Sequence, residues 1–380
     1  MKITAVETLV LDAPLATPWK FSTFSVRSLP ATLVRLRTDE GVDGVGEAFT
    51  RLGGDAIAEI VHGALAPAVL GRDPNDVEAI WEAMYATMRP RGHTRGYLLE
   101  ALSGVDIALW DVLGKAAGKP VWQLLAGHGR RTIEAYASSV MINTPEVMAR
   151  DAAALAARGY RGIKIKLGEG VRVDIPRLEA VRAAVGSEVE LMVDVNAGYD
   201  SAAAIAFGRA AERLGVFWLE EPCFAEDLTG YARVRDALKD VRLAAGEGEF
   251  TSGGFRPFLE GGLLDVLQPD IARAGGFTGC RRIAALADAY GVAYAPHTGL
   301  SGPVCIAASI HLAAAIPGFL TFEHMIIDNP LTAVLAAPPP QARDGRIEVP
   351  TDPGLGITFD EAVLSSFDRS RAGWRSTVSS

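Results

Sequence analysis

The chain has 380 residues, 49% of which are hydrophobic, and it carries a formal net charge of −9 at pH 7. This length and apolar content predict two or three domains, or one large barrel with an attached domain, around a sizeable core. The negative charge and the lack of a clustered basic stripe argue against a nucleic-acid partner, although a locally positive site could still bind a small anion.

The first 127 residues predict an α+β capping domain. Residues 3–13 and 31–49 alternate in polarity, which is typical of an antiparallel ribbon, with its turn at residues 39–44. Because the N-terminal stretch has no uninterrupted apolar core, it predicts a strand and not an export signal. Helical patterns follow at residues 55–70, 76–88 and 96–118, before a glycine-rich boundary near residue 127.

Residues 128–334 predict a barrel. Short apolar runs alternate there with alanine-rich amphipathic helices, and eight such runs are the number in a closed (β/α)8 TIM barrel. We therefore predict an α/β fold in which a modified barrel of (β/α)7β form follows the cap. The runs are residues 132–138, 162–168, 190–196, 216–222, 243–247, 263–270, 292–297 and 319–324.

The last segment, residues 335–380, predicts strands and turns that pack back on the cap and complete it. Residues 304–322 are the most apolar window, but His311 and a break at Pro317 favour a helix and a strand over a membrane span. The three cysteines are scattered, which is typical of reduced thiols. We therefore expect a cytoplasmic protein without a membrane partner.

Polar or charged residues end the second to eighth runs. They follow one another at steps of 23 to 28 residues, about one barrel unit, and barrel enzymes have their active sites at the C-terminal strand ends. Any single one could be only a helix cap or a loop charge, but seven in phase predict a ring of site residues. The ring consists of Lys166, Asp194, Glu220, Glu247, Asp270, His297 and Glu323.

Three carboxylates of the ring, Asp194, Glu220 and Glu247, come from consecutive strands and are expected to converge. Like charges in a partly dry site repel and take up protons unless a cation neutralises them. Oxygen ligands without Cys or His favour Mg²⁺. Glu221 points away from Glu220 and is expected behind the metal or in a buried salt bridge.

The residues that flank the carboxylates suit proton transfer. Lys164 and Lys166 are two residues apart on one strand, so they face the same side, and adjacent ammonium groups lower each other's pKa. Asp270 would hold His297 in one tautomer. Two potential bases around a metal site suit the removal of a proton α to a carboxylate.

The ordered set of motifs resembles the enolase superfamily and, within it, the mandelate racemase subgroup. Residues 101–127 are also similar to the family's junction between cap and barrel. Asp270 stands where the muconate-lactonising branch has a lysine, which favours the racemase-like branch. Asn196 stands where some sugar-acid dehydratases have a histidine, which argues against that type. The matching motifs are KIK at 164–166, VDVN at 193–196, WLEEP at 218–222, AGE at 245–247, QPD at 268–270, PH at 296–297 and FE at 322–323.

The resemblance implies a metal site and two acid/base groups. The implied Mg²⁺ ligands are Asp194, Glu220 and Glu247. Lys166 would be one acid/base group, with Lys164 modulating it and contacting the substrate carboxylate. His297, paired with Asp270, would be the other, and Glu323 would donate a hydrogen bond to the developing enediolate. The resemblance also implies a homo-oligomer, from a dimer to an octamer.

Specificity in this family comes from cap loops that close over the barrel, here residues 17–25 and 49–54. The aromatic residues of the first loop would suit an aryl substrate or pack the loop base, whereas its polar residues would suit a polyhydroxy acid. The basic turn at residues 89–97 could reach a polyol or a second carboxylate, or be solvated. The expected substrate contacts are Trp19, Lys20, Arg51 and Asn196.

The leading hypothesis is a Mg²⁺-dependent lyase or isomerase of a small carboxylate, namely a sugar acid or its lactone. Loss of the α-proton would be followed by β-elimination of water or of a lactone oxygen. The alternative is a racemase or epimerase of an α-hydroxy acid that uses Lys166 and His297 on opposite faces. A Schiff-base aldolase would leave the three carboxylates without a role, and a non-catalytic barrel would not be expected to retain the whole ring.

Overall fold

The structure, a computed structural model, describes residues 1–21, 24–126, 129–337, 339–370 and 375–377. The N-terminal part contains an antiparallel sheet in the order β13-β1-β2-β3. The predicted ribbon is present, with its turn between β2 and β3, but the first strand extends to Lys20 because Trp19 still pairs with Val26. The strands are β1 (Ile3–Lys20), β2 (Ser25–Thr38), β3 (Gly44–Ala48) and β13 (Arg375–Thr377).

The cap helices pack on this sheet, and one of them is buried along nearly its whole length. That helix, α4 (Tyr97–Ala116), approaches β3 so closely that a Cβ atom on Gly46 would lie 1.9 Å from the carbonyl oxygen of Gly104. Glycine is therefore required where the helix crosses the strand. The helices are α1 (Gly54–Ile60), α2 (Ala66–Val69), α3 (Val77–Ala86), α4 (Tyr97–Ala116) and α5 (Val121–Ala126), with a π-helical turn at Val61–Leu65 and 3₁₀ turns at Pro74–Asp76 and Arg89–Arg91.

All eight predicted runs contain strands of one parallel sheet, in the order β10-β9-β8-β7-β6-β5-β4-β11. Hydrogen bonds between Tyr294 and residues 318–320 join its two ends, which closes the barrel. The strands are β4 (Thr132–Val140), β5 (Gly162–Lys166), β6 (Glu190–Asp194), β7 (Val216–Glu220), β8 (Arg242–Ala245), β9 (Val266–Leu267), β10 (Ala293–Tyr294) and β11 (Phe322–Met325).

Helices follow the barrel strands and surround them, as the α/β prediction requires. They are α6 (Pro145–Ala157), α7 (Val171–Val185), α8 (Ser201–Arg213), α9 (Leu228–Ala237), α10 (Thr251–Glu260), α11 (Gly276–Ala289) and α12 (Pro303–Ala315). Within the described residues, no helix has both the length and the apolar character that crossing a bilayer requires.

The C-terminal tail contacts both the barrel and the cap. After a 3₁₀ helix (Pro330–Val334), strand β12 (Arg346–Glu348) pairs with β4 of the barrel, whereas β13 pairs with β1 of the cap. Helix α13 (Glu361–Phe367) lies between these strands in the chain. The division into residues 1–127, 128–334 and 335–380 stays a prediction, and its first boundary lies at residues 127 and 128, outside the described residues.

An apolar cluster fills the barrel interior on the N-terminal side of the polar strand ends. Buried side chains from six strands or strand ends form one cluster there, below the polar strand ends. This part of the barrel is therefore a packed core, and the polar residues lie at the C-terminal ends of the strands, where barrel enzymes have their active sites. The cluster consists of Tyr136, Met192, Trp218, Ala244, Val266 and Ala295.

Candidate active site

Strand register brings the predicted ring together. Lys166, Asp194 and Glu220 end three neighbouring strands, and Lys166 pairs with Asp194, which pairs with Glu220. Because residues paired across parallel strands point to the same side, the three side chains share the barrel interior. Asp270 and His297 form a parallel bridge farther round the barrel.

Asp194, Glu220 and Glu247 each place a carboxylate oxygen within 4.8 Å of the other two. Among the described residues this is the only such group of His, Cys, Asp and Glu side chains. Asp194 and Glu220 are fully buried, and burial and then the charge of Asp194 raise the pKa of Glu220. A set of hard oxygen donors, two of them buried and one partly exposed, fits a divalent cation such as Mg²⁺.

Glu220 is held in place by three donors. Trp218 Nε1 donates to it at 3.0 Å, Gln268 Nε2 at 2.7 Å and Lys164 Nζ at 2.7 Å. Such contacts orient a ligand carboxylate before a metal binds. Gln268 belongs to the QPD motif, but the sequence does not predict its contact with Glu220, because an amide at a strand end carries no charge signal.

The two lysines of β5 have different surroundings. Lys164 is completely buried and pairs with Glu220 at 2.7 Å and Glu323 at 2.8 Å, whereas Lys166 contacts Asp194 and lies at the edge of a cavity. Burial lowers the pKa of Lys164, but the carboxylates around it outweigh burial and raise its pKa well above the usual value.

The balance is the same at Lys166. Burial and Lys164 lower the pKa of Lys166, yet Asp194 and other carboxylates raise it overall. Lys164 therefore lowers the pKa of Lys166, as expected, but this effect is smaller than the increase that the carboxylates cause. The physical reason is that each ammonium directly contacts a carboxylate.

His297 forms the expected pair with Asp270. Its Nδ1 atom lies 2.9 Å from Asp270 Oδ2, and its Nε2 atom lies 3.4 Å from Glu247 Oε2. Burial lowers the pKa of His297, but Glu247 and the other facing carboxylates raise it overall. A Cβ atom on Gly299 would lie only 2.7 Å from His297 Nε2, so glycine at this position leaves that nitrogen accessible.

Glu323 accepts hydrogen bonds from three sides. Ser138 Oγ and Lys164 Nζ each approach Oε1 at 2.8 Å, and the backbone N–H of Thr298 donates to Oε2 at 2.7 Å. Burial raises the pKa of Glu323, but Lys164 and His297 outweigh it and lower the pKa overall. Glu323 is therefore an acceptor here, and the expected donor role would require it to gain a proton first.

A cavity of about 40 Å³ lies above these groups. Arg51 and Asn196, two of the four expected substrate contacts, line it, and the side-chain oxygen of Asn196 is buried without a hydrogen-bond partner among the described residues. Trp19 and Lys20 do not line it. The remaining lining residues are Phe21, Phe24, Ser138, Ser139, Lys166, Glu247, His297, Gly299, Leu300, Glu323 and Met325.

The end of the β1–β2 hairpin accounts for the position of Trp19 and Lys20. Trp19 is paired within the hairpin, and Lys20 turns outward to Glu169, 2.8 Å away. The next aromatic residue, Phe21, covers the cavity instead: its ring stacks on Phe24 at 4.6 Å and lies 5.2 Å from Lys166 Nζ. Of the predicted loop, residues 22 and 23 lie outside the described residues.

Two family profiles match the chain. Residues 4–126 match the mandelate racemase/muconate lactonizing enzyme N-terminal domain, and residues 147–363 match the enolase C-terminal domain-like family. D-galactarolactone cycloisomerase of Agrobacterium fabrum is 36% identical, over 97% of this chain and 99% of that protein. D-galactonate dehydratase of Ralstonia nicotianae is 34% identical, over 91% and 93%.

Solved structures agree with these matches. An enolase superfamily member from Polaromonas sp. JS666 superposes with a TM-score of 0.91 at 34% identity, covering 97% of this chain and 98% of that one. A racemase from Streptomyces coelicolor A3(2), solved with bound magnesium, superposes with a TM-score of 0.88 at 30% identity, covering 96% and 99%.

Proposed function

Because the chain belongs to the mandelate racemase/muconate lactonizing enzyme family of the enolase superfamily and is a lyase or isomerase, we propose that it acts on a sugar acid or its lactone. It would remove the proton α to the carboxylate and then break the β carbon–oxygen bond, by dehydration or by lactone cycloisomerisation. The observation that carries this proposal is the convergence of three carboxylates with Lys166 and His297 around one cavity.

Asp194, Glu220 and Glu247 would hold Mg²⁺, which when bound would neutralise the negative charge that develops on the substrate carboxylate. Lys164 would contribute a second fixed positive charge. Its ammonium group is buried between Glu220 and Glu323, so it stays protonated and cannot leave its position without exposing two buried charges.

Lys166 and His297 would move the protons. Lys166 ends β5, and His297 follows β10. In the closed barrel these two strands are separated by two strands on one side and by four on the other, so the two side chains approach the cavity from different sides. In an elimination one group takes the α-proton, and the other donates a proton to the departing oxygen. The hydrogen bond between Asp270 and Nδ1 leaves Nε2 of His297 to face the reacting atoms.

The same two groups support the second candidate function. A racemase or epimerase would use one group to remove the α-proton and the other to return a proton on the opposite face. Product analysis distinguishes the two functions. Elimination removes water or opens the lactone ring, whereas racemisation changes only the configuration at the α-carbon.

The test is a screen of acid sugars and their lactones in D₂O, followed by NMR, with Mg²⁺ and with EDTA. We expect loss of water or ring opening of at least one compound with Mg²⁺, no turnover with EDTA, and recovery when Mg²⁺ is restored in excess. Deuterium at the α-carbon with no other change would favour the racemase. Full turnover in EDTA would contradict the proposed metal site.

A further inference from the structure

Arg51 is a cation at the cavity that is not paired with a carboxylate of any described residue. Its guanidinium donates to the carbonyl oxygens of Gly299 at 2.5 Å and Leu300 at 3.2 Å, and it lines the cavity with Lys166 and His297. Among the described residues, no aspartate or glutamate forms an ion pair with it. Burial lowers its pKa to about 10, so it is charged at neutral pH.

Aromatic stacking fixes the position of this guanidinium. Arg51 and Arg273 lie 4.0 Å and 3.8 Å from the centre of the Phe49 ring, and Arg273 and Arg95 lie 5.4 Å and 5.6 Å from that of Phe250. The result is a row in which three guanidinium groups alternate with two rings. Stacking of this kind orients a guanidinium and leaves its edge free for an anion.

The other two arginines of the row have carboxylate partners. Arg273 Nε donates to Glu100 at 3.1 Å, and Arg95 donates to Glu249 at 2.8 Å. In the part of the chain that the structure describes, Arg51 is the one arginine of the row whose hydrogen bonds all go to carbonyl oxygens. A guanidinium has five N–H donors in a planar fork, so donors remain for a carboxylate.

We propose that Arg51 binds the terminal carboxylate of an open-chain dicarboxylic sugar acid. This inference rests on the proposed function: the α-carboxylate would lie at the metal ligands and Lys164, and the second carboxylate at Arg51. Asp270 and Glu247 lie near Arg51, but neither forms an ion pair with its guanidinium. Asp270 is hydrogen-bonded to His297, and Glu247 belongs to the group of three carboxylates.

The first experiment measures kcat/KM for matched pairs, in which a dicarboxylic sugar acid is compared with the sugar acid of the same configuration that has a hydroxymethyl group in place of the terminal carboxylate. The wild type should prefer the dicarboxylic member by about 10- to 100-fold, as expected when a charged hydrogen bond is lost from a built site. Arg51→Gln should remove most of this preference, and Arg51→Lys should keep part of it.

Arg95→Gln is the matched control, because Arg95 belongs to the same row but is 56% exposed and paired to Glu249. It should keep the wild-type preference. An equal loss for both substrates in Arg51→Gln would overturn the inference and make Arg51 a support for residues 299–300. A wild type that does not discriminate within the pairs would overturn it as well.

The second experiment measures binding without turnover. In the Lys166→Ala background with Mg²⁺, calorimetric titration with galactarate and galactonate compares acids that differ only in the terminal group. The dicarboxylate should bind at least tenfold more tightly, and adding Arg51→Gln should abolish the difference. If no acid sugar is turned over but this binding difference exists, the proposed reaction fails and the Arg51 site stands; if binding shows no difference, the Arg51 site fails.

Discussion

Lys164 and Lys166 lie on the same face of β5, but their surroundings differ. Lys164 is surrounded by carboxylates and completely buried, so its charge is a fixed part of the site. Lys166 is one pleat closer to the cavity, with one direct carboxylate contact and Phe21 above it. Of these two lysines, Lys166 is the one that lines the cavity.

Replacing either proposed proton carrier should stop the reaction without unfolding the protein. Lys166→Ala and His297→Asn should each lower kcat by about 10²- to 10⁴-fold, the usual contribution of a general acid or base. Activity would be followed with the substrate found in the screen, and folding by circular dichroism. Full activity in either variant would contradict its assignment, and α-proton exchange retained in only one of them would identify the base.

Gln268→Ala should weaken Mg²⁺ binding by about 10- to 100-fold, because Glu220 would lose a 2.7 Å hydrogen bond that orients it. Isothermal titration of the metal-free protein with Mg²⁺ measures the effect. Gln123→Ala, a change of the same type on α5, is the control. Equal Mg²⁺ affinity in the Gln268 variant and the wild type would mean that Lys164 and Trp218 suffice to orient Glu220.

At the scale of elements, the end of the β1–β2 hairpin covers the site. Phe21 is 5% exposed although it lies at the end of a hairpin, because its ring is stacked between the cavity and Phe24. Lys20, by contrast, is 66% exposed in its pair with Glu169. The cavity of about 40 Å³ that Phe21 covers holds no more than a few water molecules.

Phe21→Ala should therefore raise KM and lower kcat/KM by about tenfold or more, because the site would lose apolar cover worth roughly 1.5–3 kcal/mol. Lys20→Ala should change kcat/KM by less than about fivefold, since an exposed ion pair contributes at most about 1 kcal/mol. Steady-state kinetics of the two variants provides the comparison. A larger effect of Lys20→Ala would mean that the Glu169 pair, and not the aromatic cover, holds the hairpin over the site.

At the scale of the whole molecule, two buried carboxylates of the cap bind the N-termini of two barrel helices. Glu47 of β3 accepts from the backbone N–H groups of Gly302 at 2.6 Å and Cys305 at 3.0 Å, at the start of α12. Asp106 of α4 accepts from the N–H group of Thr278 at 3.0 Å, in the first turn of α11. These hydrogen bonds satisfy backbone N–H groups that have no partner within their own helices, and they join the cap to the barrel.

The Asp106 contact predicts a pH-dependent stability. Burial raises the pKa of Asp106 from 3.8 to about 7, so from pH 5 to pH 7 the folded protein keeps a proton that the unfolded chain has released. The stability from this group is full below pH 4 and is lost as the pH rises through 7.

Asp106→Asn removes this dependence while its amide oxygen still accepts from Thr278. The free energy of unfolding of the variant relative to the wild type should rise by about 2–3 kcal/mol between pH 5 and pH 8. Urea unfolding at both pH values measures it, with the exposed Asp240→Asn as control. A constant difference would mean that Asp106 is ionised at both pH values.

The sequence by itself determined the fold class, the eight strands and the ring of polar strand ends, because strand periodicity and the barrel repeat are local patterns in the chain. The three carboxylates that converge in the structure, Asp194, Glu220 and Glu247, followed from the same repeat. Which lysine is enclosed, which aromatic residue covers the cavity and where Arg51 finds its neighbours were decided only by the tertiary structure. These depend on hydrogen bonds, stacking and burial between residues such as Arg51 and Gly299, which are 248 positions apart in the chain, and no local pattern encodes such contacts.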